Sequence, residues 1–444
     1  MRENTGGSGG GLPVSQLFRA PIFHTPGNPF HQSNALEVFG DGGLLVNANR
    51  IEALGDFATI ARQYPNAEVR DLSDGFLLPG FVDTHVHFPQ VRVLGALGEP
   101  LLDWLKHSAL PEESRMADAT YARVIAREFL NALTANGTTA ALVFGAHFAS
   151  AMEILFDEAA ISGQRISSGL VLSDRLLLPE LHTSTVQAYK QSTDLIQRYH
   201  GKHGLKYAVT PRFALSASEA MLEVCQTLMR ENPDVLFQTH LNENYDEIRE
   251  VAQLFPGSED YLSVYEKFGL VGVRSVLAHN VHPTNSELQR LSASGATVAH
   301  CPCSNASLGS GLFPMAKHIS HGIKVSLGTD VGAGTGFGML KEGLQAYMLQ
   351  RIATDGFGLT PTHLLYLATR AGAEALGMDD AGDLSPGRSA DFVYIKPRAG
   401  SPLAAVAGNA ESPERMLAAI FTLAGAETIA GTWVQGRAVY EGVS

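Results

Sequence analysis

Cysteine is scarce in this chain, with three among 444 residues. So few, and an odd number, cannot make a disulfide framework for a chain of this length, and a reducing interior suits them. Charge is sparse too. Only 17% of residues carry it, and cations are the rarer sign: 32 Lys+Arg stand against 45 Asp+Glu, a net charge of −13. Binding a phosphate backbone draws its energy from clustered cations, so a nucleic-acid partner is disfavoured. No apolar run approaches the roughly 18 residues of a membrane span, and AALVFGA (140–146) reads as a buried strand. The polar run TGGSGGG (5–11) lacks the apolar core of a secretory signal. The expectation is an acidic, cytoplasmic, globular protein without a membrane partner.

What the chain does have is apolar mass, with 45% of its residues hydrophobic. That composition supports a large core and argues against disorder over most of the length. Residues 1–15 read as a flexible tail. From 16 to 78, short apolar runs alternate with turn residues, and Asp41-Gly42-Gly43 predicts a hairpin-like break between two of them. The far end has the same texture in SADFVYIKP (389–397) and TWVQGRAVYEG (432–442). Residues 16–78 and 381–444 are therefore expected to build one small, β-sandwich-like domain from both termini.

Residues 79–380 alternate between helix and strand patterns. Thr120 is placed as a cap, with Tyr121, Val124, Ile125, Phe129 and Leu133 on one helical face. Asn136-Gly137 stops that helix, and the apolar run 138–146 follows as a strand covered on both faces. Seven more strands are expected within 80–87, 165–174, 205–213, 234–244, 273–280, 296–305 and 323–330. Eight strands with intervening helices match a (β/α)8 TIM barrel.

A barrel places its chemistry at the strands' C-terminal ends. The first strand ends in His85-Val86-His87, where alternation turns both imidazoles to one face. The fifth ends in His240, the sixth in His279 and the eighth in Asp330. Three imidazoles (His85, His87 and His240) and the Asp330 carboxylate make an N3O set suited to Zn2+ or a similar borderline ion, which lowers the pKa of a bound water. Glu243, three residues past His240, is placed to act as general acid/base, and His279 to assist the attacking oxygen. A second metal is not expected, because the fourth strand ends in Thr210-Pro211-Arg212-Phe213 and supplies no lysine to bridge two ions.

Other motifs fail. No His is followed by Glu, so H-E-x-x-H is absent. Pro302-Cys303 lacks the second cysteine of P-C-x-x-C, and Cys301 and Cys303 read as wall residues of the seventh strand. The glycine-rich stretch 332–340 reads as a mobile or close-packed rim beside the metal.

The segments PGFVDTHVHFPQ (79–90), VTPRFALSAS (209–218), THLNEN (239–244), AHCPCSNASLGSGLFP (299–314) and LGTDVGAGTGFGML (327–340) resemble the guanine deaminases of the metal-dependent amidohydrolase superfamily. The resemblance covers most of the chain. It implies one Zn2+ per chain on His85, His87, His240 and Asp330, with Fe2+ tolerated. It further implies hydrolysis of guanine to xanthine and ammonia, with Glu243 shuttling protons and His279 and Asp330 assisting. Gln90 and Arg212 would bond the polar edge of the base and Phe213 would hold the ring. Members of the family are often homodimers. The alternatives are the same machinery acting on a pterin, an oxidised guanine, cytosine or a triazine, and, remotely, an inactive barrel scaffold.

Overall fold

The computed structural model of the protein describes residues 15–442. The expected tail at 1–15 therefore lies, apart from Ser15, outside the described residues. All eight expected barrel strands are present. They run Phe81–His87, Thr138–Phe144, Arg165–Gly169, Lys206–Pro211, Leu236–Leu241, Ser275–His279, Thr297–His300 and Lys324–Leu327. Each pairs in parallel with the next in chain order. The first and eighth strands are joined by side chains: Thr84 Oγ1 lies 2.8 Å from Ser326 Oγ and 2.8 Å from the Leu327 carbonyl oxygen. Just beyond, the Asp330 N–H donates to the His85 carbonyl at 2.8 Å. Gly328 permits this approach, since a Cβ there would sit 2.7 Å from that of His85.

The barrel's lower end is apolar. Val82, Ala140, Leu142, Ala208, Leu236, Val276 and Ala299 pack against Ala373, Leu376 and Met378, in and just after the helix Arg370–Ala375, which close the ring from below. The helix after the first strand runs Ala119–Ala135, but its cap is Asp118, whose carboxylate accepts from the N–H groups of Thr120 and Tyr121. Asp outcompetes the expected Thr120 because it lies at the position where its oxygen reaches two free N–H groups. The buried face is Ala122, Ile125, Ala126, Phe129, Leu130 and Leu133, and Val124 points to solvent.

A second sheet interleaves strands from both ends of the chain, with Phe76–Pro79 lying between Gln16–His24 and Phe392–Ile395. Its core stacks Phe392 on Trp433 at 4.8 Å between ring centroids, with Phe18 edge-on to both. The expected break at Asp41-Gly42-Gly43 does not occur. The strand Glu37–Asn47 continues through it with a register shift against Gln16–His24 at Gly40–Asp41, and the turn comes at Ala48, whose φ is 54°. Gly42 is needed for contact instead: a Cβ there would meet Ile22 at 2.8 Å. Arg165 ties this sheet's Asp391 to the barrel at 2.9 Å. No helix among the described residues is long and apolar enough to cross a membrane.

Candidate active site

Four side chains from three strand ends converge at the barrel mouth. His87 Nε2 lies 3.3 Å from His85 Nε2 and 3.3 Å from His240 Nε2. Asp330 Oδ1 lies 3.3 Å from each of the first two nitrogens. Bonds of 2.0–2.1 Å to one ion put neighbouring ligand atoms about 3.3–3.4 Å apart, which these four distances match. The ligand atoms of His85, His87 and Asp330 all lie within 4.8 Å of one another, as do those of His85, His240 and His279. The chemistry fits as well. Burial lowers the pKa of His85, and drives those of His87 and His240 well below the usual histidine value, so the rings are neutral and offer lone pairs.

The surroundings aim these groups. His240 Nδ1–H donates to the Arg212 carbonyl at 2.6 Å, leaving Nε2 free to ligate. Asp83, fully buried on the first strand itself, accepts from the N–H of His85 at 3.2 Å and of Thr329 at 3.1 Å, and also from the Thr329 hydroxyl. It thereby fixes the His85 end of one strand to the Asp330 end of another. Asn242, His279, Asn280 and Asp330 all have positive φ, between 45° and 71°. Left-handed backbone in non-glycine residues is strained, and here it is concentrated at the strand ends that carry the reactive groups.

Glu243 and His279 stand beside the quartet. His279 Nε2 is 3.5 Å from Glu243 Oε2 and 3.8 Å from Asp330 Oδ2, and it has no hydrogen-bond partner among the described residues. Its Nδ1 lies 3.0 Å from Asn305 Oδ1. Burial and the nearby Asp330 charge push the Glu243 carboxyl up to about 8. The following helix anchors it: Glu247 accepts the Glu243 N–H at 3.1 Å and is itself bonded by the Tyr261 hydroxyl at 2.6 Å.

The pocket over these groups has apolar walls of Leu101, Trp104, Leu105, Phe213, Leu308 and Ala333. Its polar lining is His87, Gln90, Arg212, His240, Glu243 and Asp330. All nine site residues expected from the sequence therefore lie within one region. Leu101, Trp104 and Leu105 come from the segment 88–118, which folds over the mouth as short helical turns, including a π-turn at Leu105–Ala109. The glycine-rich rim is close-packed at Gly332, where a Cβ would lie 2.1 Å from Gln90 Oε1.

Two residues escaped the sequence reading. Glu113, also from that covering segment, accepts from Arg212 Nη1 at 2.6 and 2.7 Å, from Gln90 Nε2 at 2.7 Å and contacts His147 Nε2 at 3.1 Å. His147 lies three residues past the second strand, which ends at Phe144, so the strand-end rule could have found it. Glu113 stands on an insertion between strand and helix, and no spacing marks it.

Comparison with known proteins places this arrangement. The model described as "Amidohydrolase family" matches residues 76–439. A Deinococcus radiodurans protein named "Probable guanine deaminase" is 55% identical over 432 residues, covering 96% of this chain and 98% of its own. The solved structure of the E. coli guanine deaminase superposes with a TM-score of 0.92 at 37% identity, over 97% of this chain and 100% of the other. A guanine deaminase from C. acetobutylicum, solved with guanine bound in its active site, gives 0.89 at 26% identity over 96% and 100%.

Proposed function

The chain belongs to the amidohydrolase family, and from that membership we propose that it hydrolyses guanine to xanthine and ammonia. The observation that carries the reading is the 3.3 Å spacing of His85, His87, His240 and Asp330 beside a buried Glu243. These four residues would hold one Zn2+, and an N3O set tolerates Fe2+ as well. When bound, such an ion supplies Lewis acidity and a water acidic enough to be a nucleophile near neutral pH.

The chain's own groups do the rest. Arg212 and Gln90 hydrogen-bond the polar edge of the base, and Phe213 holds its ring, so that carbon 2 faces the quartet. Leu101, Trp104 and Leu105 exclude bulk water. Attack by the water oxygen forms a bond to carbon 2, and the bond from that carbon to the exocyclic nitrogen breaks. Of the water's two protons, one ends on the ring nitrogen beside carbon 2 and the other leaves with the amine as ammonia. Glu243 carries them, because a carboxyl raised to about 8 by burial both accepts and returns a proton near neutral pH. With its value near neutrality both forms of Glu243 are populated, so it accepts in the ionised form and returns the proton in the protonated one. His279 Nε2 is placed to hydrogen-bond the attacking oxygen, and the Asp330 oxygen nearest it, Oδ2, orients the same proton.

The test is ammonia release from guanine by metal-loaded protein, run beside a pterin, cytosine and a triazine. Guanine turnover is expected. Release only from another heterocycle would transfer the mechanism to that substrate. Glu243→Gln is expected to keep its metal while losing about 10²–10⁴-fold in kcat, the usual contribution of a positioned proton carrier. Near-normal turnover by that variant would remove Glu243 from the mechanism.

A further inference from the structure

The Glu113 carboxylate is 2% exposed and joins three groups that are themselves buried: Arg212 at 3%, Gln90 at 1% and His147 at 4% exposure. Burial pushes its carboxyl up, but the Arg212 charge and the His147 hydrogen bond outweigh that and hold it well below the usual carboxylate range. It is ionised, and an ionised carboxylate only accepts. That sets the Gln90 amide: its NH2 faces Glu113 at 2.7 Å, with the same nitrogen 3.4 Å from His87 Nδ1, and its carbonyl faces away. Gln90 Oε1 has no partner among the described residues. A buried carbonyl left so costs about 1–3 kcal/mol unless a donor reaches it. On Arg212, Nη1 is the guanidinium nitrogen engaged by Glu113, and the side chain makes no other hydrogen bond among the described residues.

We propose that Glu113 is a positioning residue that sets which hydrogen-bonding pattern the pocket reads. By taking Arg212 Nη1 and the amide N–H of Gln90, it leaves the remaining guanidinium donors and the Gln90 carbonyl, which lies against Gly332, as the groups free to read a ligand. The complement of that pair is a lactam edge, a ring carbonyl next to a ring N–H. A 6-oxopurine carries it. A 6-aminopurine presents a donor to the donors and a bare ring nitrogen to the acceptor, so both protein groups stay unpaired. Sites built this way reject the wrong pattern far more strongly than apolar pockets reject a change of size. The inference rests on the proposed reaction and adds to it the device that selects the substrate class. It also gives the covering segment 88–118 a second task, since both Glu113 and Gln90 stand on it.

The unmodified enzyme tests this first. Hypoxanthine, which has the lactam edge and no 2-amino group to lose, is expected to inhibit guanine turnover competitively. Adenine is expected to be about 100-fold weaker, and 1-methylguanine to lose about 100-fold in kcat/KM. Equal inhibition by hypoxanthine and adenine, with guanine still turned over, would overturn the proposal and spare the reaction. No ammonia from guanine would overturn the reaction itself.

Glu113→Gln frees the Gln90 amide to turn. It is expected to keep metal content, raise the guanine KM about 10–100-fold with kcat changed less than about threefold, and narrow the hypoxanthine–adenine gap. Glu113→Asp should recover part of the KM. An unchanged KM, or a loss confined to kcat, contradicts the assignment. If Glu113→Gln does not fold, the inhibitor comparison on the unmodified enzyme decides alone.

Discussion

The same eight strands build both ends of the barrel, and the two ends follow opposite rules. At the lower end, alanine, leucine and valine side chains meet Ala373, Leu376 and Met378 in a continuous apolar cluster. At the mouth, the strands finish in imidazoles, carboxylates and an arginine, with four non-glycine residues in left-handed backbone and buried polar atoms lacking partners. The lower end has what a stable core requires: dry, close-packed side chains of few rotamers. The mouth gives up that stability for groups held ready to meet a cation and a polar ring. Chemistry and stability are thus separated along the strand axis, by roughly the length of one short strand.

That contrast can be broken deliberately. The largest effect is expected at the mouth. His87→Ala removes a group on three of the four measured 3.3 Å edges. Activity should fall by about 10⁴-fold or more along with metal content, because metal chemistry supplies much of the barrier reduction. The melting temperature of the metal-free protein should hardly change. Turnover and metal binding that survive in this variant would dissolve the distinction between the two ends.

The second effect belongs to the lower end. Leu376→Ala should destabilise the fold by about 2–5 kcal/mol, measured by denaturant unfolding, while kcat per folded molecule stays unchanged. A large change in kcat would mean that the plug communicates with the site.

The smallest sharpens the boundary. Asp83 lies under the mouth without touching the pocket, and burial raises its carboxyl to about 6. Asp83→Asn keeps one acceptor oxygen but loses the second. It should weaken metal affinity about 10–100-fold, the usual penalty for disturbing a group that orients ligands. Titrating metal into the apo variant measures this directly.

The separation also explains what could be read from the sequence. Barrel strands are covered on both faces, so nearly all their residues are buried, and the candidate reactive residues cluster where they end. His85, His87, His240, His279 and Asp330 stand at or near those ends, which made them legible one strand at a time. Glu113 does not, because its partners Gln90, His147 and Arg212 lie up to 99 positions away in the chain and only tertiary docking brings them together. The terminal sheet was misread at Asp41-Gly42-Gly43 for a related reason. Two adjacent glycines imply a turn when only the chain is visible, whereas here Gly42 makes room for the neighbouring Ile22. The cap at Asp118 was missed by two residues because Thr120 and Asp118 are both good caps, and only the final φ/ψ decides between them.

The central claim is that three imidazoles and one carboxylate share a single ion. Anomalous diffraction at the zinc edge, on crystals of the protein grown without chelator, tests it most directly. One peak is expected, about 2.0–2.2 Å from the Nε2 atoms of His85, His87 and His240 and from an oxygen of Asp330. A peak bound elsewhere, a second ion beside the first, or fully metal-loaded protein with nothing at that point would contradict it.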